Sequence, residues 1–283
     1  MSDLAPALLF FRRLFRRRLV LISFAVLALI VLAALLAPYL SPYSPTAMKV
    51  SNRLKPPGAL NWLGTDEFGR DILSRIIHGG RASLGIGASV VVISMALGAT
   101  FGLLAGYFRA LDGVIMRLVD AMMSLPDILL AIFLVAVLGA SAGNVVLALA
   151  IVYTPRVVRV VRGSTLVVRE LPFVEAARVL GVSTWRILTV HVLLNVASPM
   201  LVQATFIFAY AVLAEAGLSF LGAGVPPEIP TWGTMIAAGQ QYADRAFWVV
   251  LFPGLAIMLA ALCLQLVGDG LRDMLDPKLR KAL

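Results

Sequence analysis

Long apolar runs set the pattern of this chain, and polar residues appear mainly as punctuation between them. An uncharged run of 22 residues extends from Leu19 to Leu40. That length crosses about 30 Å of hydrocarbon. A cleaved signal peptide has a shorter apolar region ending in small residues, so the length and Pro38 predict a retained first span. Ser41 to Arg81 is a mixed-charge loop with Pro42, Pro45, Pro56 and Pro57. Near its end Asp71, Ile72, Leu73, Ile76 and Ile77 predict an amphipathic helix along the membrane interface. Further spans are predicted over 82–108, about 114–138, about 145–161, about 195–218 and 246–268. Pro126 predicts a kink in the third, and Gly139 to Asn144 a short hairpin loop after it.

Val174 to Leu194, between the fourth and fifth spans, has a different pattern. It reads as two short helices with a hard break. Pro172 suits a first helical turn, where its missing N–H costs nothing. Glu175 meets the positive end of the helix dipole. Ala176, Ala177, Val179 and Leu180 continue the helix, and Gly181 stands where a helix ends with positive φ. Ser183 is placed to cap the next helix, whose apolar face is Trp185, Ile187, Leu188 and Val192. A spanning protein has no structural need for such an excursion, so it reads as a docking element, the alternative being a plain loop lying on its own bundle. Its small residues admit a close partner, and Trp185 offers an aromatic anchor.

Composition agrees with a multi-span membrane protein. Hydrophobic residues make up 60% and charged residues 14%, and mean hydropathy is +0.94. A soluble domain is about half apolar and about a quarter charged. The net charge of +9 flanks spans instead of forming a basic segment interleaved with aromatics, which argues against a nucleic-acid partner. Six spans put both termini on one side. With the termini inside, the cytoplasmic segments hold five, two, six and four basic residues, and the outer loops six and one. The positive-inside rule therefore places the termini and Val174 to Leu194 in the cytoplasm.

Little else carries chemistry. The chain lacks a phosphate-binding P-loop pattern, so ATP and magnesium are not expected to be bound by it. Cys263 lies alone in an apolar run, and His78 and His191 are far apart, which predicts no disulfide and no metal site. Gly98, Gly102 and Gly106 lie on one helical face and predict close helix packing. Asp120, Asp127 and Glu215 fall within spans, where carboxylates are functional candidates. The plainer expectation is that Asp120 pairs with Arg117 and that the other two sit near interfaces or bond neighbouring helices.

Glu175-Ala176-Ala177, followed after three intervening residues by Gly181, resembles the EAA loop of permeases in binding-protein-dependent ABC importers. After nine more intervening residues stands His191, as in the dipeptide/oligopeptide/nickel branch, and Leu194 replaces the usual proline. Leu63 to Leu84 and Ala214 to Ile236 also resemble that branch, and the long excursion after the first span resembles its C-type subunit. The resemblance implies an all-α polytopic protein of the bacterial inner membrane, with six transmembrane helices and the type I importer permease fold. It divides the chain into 1–81 (N-terminal arm, first span and periplasmic loop) and 82–283 (a five-helix core with the coupling loop at about 163–195). Glu175, Ala176, Ala177, Arg178, Leu180, Gly181, Trp185 and His191 would form that loop. Implied partners are a second homologous permease, two cytoplasmic ATP-binding subunits that carry ATP and magnesium, a periplasmic or lipid-anchored substrate-binding protein, and membrane lipids. The implied cargo is di- or oligopeptides. Alternatives are nickel or another small solute, an ion-coupled secondary transporter, and a non-transporting scaffold. A secondary transporter would work alone and show inverted repeats or broken helices with paired ionisable groups, neither of which is read from the sequence.

Overall fold

A computed structural model describes residues 17–275. Arg12, Arg13 and Arg16 at the start, and Lys278, Arg280 and Lys281 at the end, lie outside the described residues. The apolar runs are helical because hydrocarbon offers no water to a free backbone N–H or C=O. In order they form α1 (Arg18–Leu35), the short α2 (Ala37–Leu40), α3 (Ile72–Tyr107), α4 (Arg109–Met123), α5 (Asp127–Leu138), α6 (Ala142–Val168), α7 (Pro172–Val179), α8 (Thr184–Phe220), α9 (Trp232–Gly239) and α10 (Trp248–Leu275). Among the described residues β structure is limited to one isolated antiparallel bridge between Thr65 and Asp71.

Five helices, α1, α3, α6, α8 and α10, are long and apolar enough to cross a membrane. α4 and α5 pass that test only together, and they bend by 94° at their junction. Counted as one broken span, the pair brings the total to six. The expected kink is thus close to a right-angle break. Pro126 holds φ −58° and ψ 129°, outside helical geometry, immediately before α5, and the residue before a proline is also driven from the helical region.

Two elements differ from the sequence expectation. The amphipathic stretch after Asp71 does not lie apart at the interface. It forms the first turns of α3, a single helix of 36 residues. Asp71 caps it by accepting the Ser74 N–H at 2.8 Å, and Ile72 is buried with Met235, Trp248 and Val249. The second half of the docking segment is not a separate helix either. It is the cytoplasmic end of α8 and includes a π-helical turn over Ile187–Val192.

α3 and α6 run in the same direction through the core. A methyl group on Gly98 would lie 2.3 Å from Cβ of Val157, on Gly102 2.6 Å from Cβ of Val161, and on Gly106 2.5 Å from Cβ of Thr165. The register is four residues on both helices, which is how small residues let two backbones approach in a bilayer. α8 completes the core, with Val196, Ile207, Ala211 and Leu218 buried. α1 and α10 flank it, where Ala34, Leu84, Trp232 and Ile257 form a second cluster. Arg17 and Asp273 pair at the inner ends of α1 and α10.

Candidate functional site

The predicted docking element stands at the inner end of the core. Pro172 opens α7, and Glu175 and Arg178 lie in its first and last turns, each favourable toward the helix dipole. Gly181 ends it at φ +73°. The Gly181 N–H donates to Arg178 O and the Val182 N–H to Ala177 O, both at 3.0 Å. This pair of bonds is a Schellman motif. Val182 then packs against the core that contains Ala177. Ser183 precedes the next helix, as expected, but its side chain makes no capping bond.

The element has a seated side and an open side. Val174, Ala177, Ile187 and Leu188 are buried in the core. Arg178 donates to the Tyr107 hydroxyl at 3.2 Å and lies over its ring, and Arg169 donates to Gly106 O at 2.8 Å. The loop is thus fastened to the end of α3. On the open side Val179 is 83%, Leu180 81% and Trp185 73% exposed. Glu175 and Ala176 are exposed beside them. The Glu175 carboxylate has no hydrogen bond or ion pair among the described residues. His191 is half-buried, its ring 6.4 Å from that of Phe173. An apolar patch with a free carboxylate is the chemistry of a docking surface.

The membrane carboxylates have definite partners. Asp120 bonds Arg159 at 2.6 Å, in place of the expected local pair with Arg117, because the turn between α5 and α6 lays α6 beside α4. Asp112 bonds Arg162 at 2.6 Å, and Asp127, at the break, bonds Arg156. Three aspartates on the broken span therefore meet three arginines spaced three residues apart on α6. Glu215 is fully buried near the outer end of α8. It accepts from Thr231 at 2.8 Å, Ser219 at 2.9 Å and Ser83 at 3.4 Å, tying α3, α8 and the loop before α9 together.

One polar cluster went unrecognised in the sequence. Residues 61–75 fold into a cap over the outer ends of α3 and α10. Asp66 accepts the backbone N–H groups of Phe68 and Arg70, both at 2.9 Å, and the Arg70 Nε at 2.6 Å. Arg75 approaches Asp66 at 3.5 Å, and Trp248 donates to Thr65 O at 3.3 Å. Gly64 and Gly69 hold φ of +81° and +71°, turning the backbone around these groups. The signal available was the density of Asp, Arg and Gly between Gly64 and Arg75 in an otherwise apolar chain.

The sequence profile of the binding-protein-dependent transport system inner membrane component matches residues 98–281, and that of the N-terminal TM domain of oligopeptide transport permease C matches residues 6–57. A putative peptide transport system permease protein of Brucella suis is 49% identical over 276 residues, covering 98% of this chain and 93% of that protein. The di/tripeptide transport system permease protein DppC of Pseudomonas aeruginosa is 49% identical over 261 residues, covering 90% and 86%. Among solved structures, an inward-facing form of the MetNI methionine ABC transporter matches at a TM-score of 0.58 and 18% identity, covering 72% of this chain and 97% of that one.

Proposed function

The chain belongs to the binding-protein-dependent transport system inner membrane components, and from that premise we propose that it forms half of a translocation path for di- or oligopeptides, driven by ATPase subunits docked on the loop at α7. It is an ABC-importer permease of the bacterial inner membrane. The finer composition is our reading: a second, homologous permease, two cytoplasmic ATPases and a periplasmic or lipid-anchored binding protein. ATP and magnesium would be held by the ATPases. The names of the relatives favour peptides over nickel.

The observation that carries the coupling role is the two-sided build of the loop at α7. Its open side presents Val179 at the end of α7, Leu180 just after it and Trp185 at the start of α8. Its inner face is bonded through Arg178 to Tyr107 at the end of α3. A force on the exposed side would therefore reach α3 through the core packing of Val174 and Ala177 and the Arg178–Tyr107 contact. Closing of the ATPases around α7 would move α3 together with α6, its close-packed partner, and rock the subunit between two states. Glu175 would hold the loop to an ATPase by an ion pair or hydrogen bond, and Gly181 would permit the turn.

The test is direct. The tagged chain, purified with the products of neighbouring genes, should carry a P-loop ATPase, and vesicles containing that complex should accumulate dipeptide with ATP and the binding protein. Glu175→Lys should insert normally yet lose uptake and stimulated ATP hydrolysis. Uptake unchanged by this substitution would overturn the coupling role.

A further inference from the structure

The ion pair at the break of the third span has an open side that packing does not explain. Asp127 starts α5 where the helix turns by 94°. Its partner Arg156 lies midway along α6, directly after Pro155. Pro155 has no N–H, so the carbonyl of Ile151 lacks its usual helical donor. The guanidinium of Arg156 also lies 5.5 Å from the ring centre of Tyr153 and 5.3 Å from that of Tyr210 on α8. Two tyrosines, a carboxylate and a guanidinium thus converge within apolar helices. Yet the Arg156 and Asp127 side chains remain 32% and 39% exposed, and Tyr210 is 42% exposed. Ionisable groups at such depth face a water-filled cavity or the inside of a bundle, not lipid.

A cavity of about 500 Å³ opens at the inner end of α6, α8 and α10. Val160 of α6 and Val202 and Phe206 of α8 are among its lining. Val160 is four residues from Arg156, and Phe206 is four residues from Tyr210. At helical spacing they share faces. The cavity therefore lies along the same faces of α6 and α8 as the charged cluster, one helical turn closer to the inner end. The volume is in the range of small-molecule sites.

We propose that Asp127 and Arg156, flanked by Tyr153 and Tyr210, form a contact site for the two charged termini of a peptide in transit. The ammonium end would bond Asp127 and the carboxylate end Arg156, so each charge exchanges one opposite partner for another. The exposed Tyr210 face would add cation–π contact for the ammonium and a sequence-tolerant wall for side chains, while the buried Tyr153 holds the Arg156 guanidinium in place. Such a site would offset the cost of carrying a zwitterion through the membrane, and it would favour free peptides over capped ones. It rests on the peptide-import reading above.

The experiment uses the complete complex in vesicles with its loaded binding protein. A dipeptide with a diazirine side chain is irradiated during turnover, and labelled residues are mapped by mass spectrometry. Label should fall on α6 and α8 within a turn of Tyr153 and Tyr210 and be displaced by excess alanyl-alanine. Label elsewhere in this chain, or none that alanyl-alanine displaces, overturns the site. A second arm uses Asp127→Asn with Arg156→Gln, which leaves no lone charge. Dipeptide delivered per ATP should fall by about tenfold, equivalent to about 1.4 kcal/mol, while ATP hydrolysis stimulated by the binding protein persists. Unchanged delivery per ATP overturns the site alone. Wild-type vesicles that accumulate no dipeptide overturn the import reading with it.

Discussion

Gly181 and Glu215 are the positions where a single side chain decides most. At φ +73° a side chain on residue 181 meets no neighbour within 4 Å, so the whole penalty is backbone strain. For an L-residue this is about 1–2 kcal/mol. Gly181→Val should therefore leave insertion and helix content intact but loosen the end of α7 and reduce ATPase stimulation, measured with matched amounts of complex in vesicles. Glu215 behaves oppositely, since its partners surround it. Glu215→Leu leaves the Thr231, Ser219 and Ser83 hydroxyls without their acceptor, at about 1–3 kcal/mol for a buried unsatisfied group. Thermal unfolding in nanodiscs should show a clear drop for Leu and a smaller one for Glu215→Gln, which retains an acceptor oxygen. An equal drop for both would mean that the negative charge matters beyond its bonds. Gly181 was legible in the sequence because glycine after a helical run has a local cause. The partners of Glu215 were not, because Ser83 is 132 positions away.

Helix pairs show the same division. The spacing of Gly98, Gly102 and Gly106 predicted a close approach but not its target, since Val157, Val161 and Thr165 carry no mark of their role. Gly102→Leu should cost about 1–3 kcal/mol through overpacking and lower the yield of folded chain. Gly163→Ala on α6, with nothing within 4 Å of its new methyl, should be neutral or stabilising in the same thermal assay. Equal losses would show that the two helices separate easily. The ion pairs were the harder case. Arg117 is a local candidate for Asp120, and helical spacing favours it, but the chain turn after α5 brings Arg159 to it instead. Arg156, Arg159 and Arg162 at intervals of three were a visible hint that one face of α6 answers several acids. Pro126 was legible as a disturbance, but not the size of the break.

The six-span plan and the side bearing the loop follow from run lengths and charge bias, both of which act over the whole chain. The chain's single cysteine, Cys263, is buried, so a Cys263→Ala background permits a topology test. A cysteine placed at Trp185 should react with a membrane-impermeant maleimide only from the cytoplasmic face, and bound ATPase should protect it. Reaction from outside would invert the assigned orientation. What the sequence did not reveal is the outer cap, because its roles depend on Asp66, Arg70 and Arg75 meeting around one carboxylate. That cap and the loop are joined by α3, whose 36 residues reach about 54 Å at about 1.5 Å each. Its first turn is tied to the cap by Asn61, which donates to Asp71, and its last to the loop by Arg178 on Tyr107 and Arg169 on Gly106 O. A strut held at both ends cannot favour one end alone. If a nucleotide-bound ATPase on the inside changes the affinity for the binding protein on the outside by some factor, thermodynamic reciprocity requires the binding protein to change the affinity of that ATPase by the same factor.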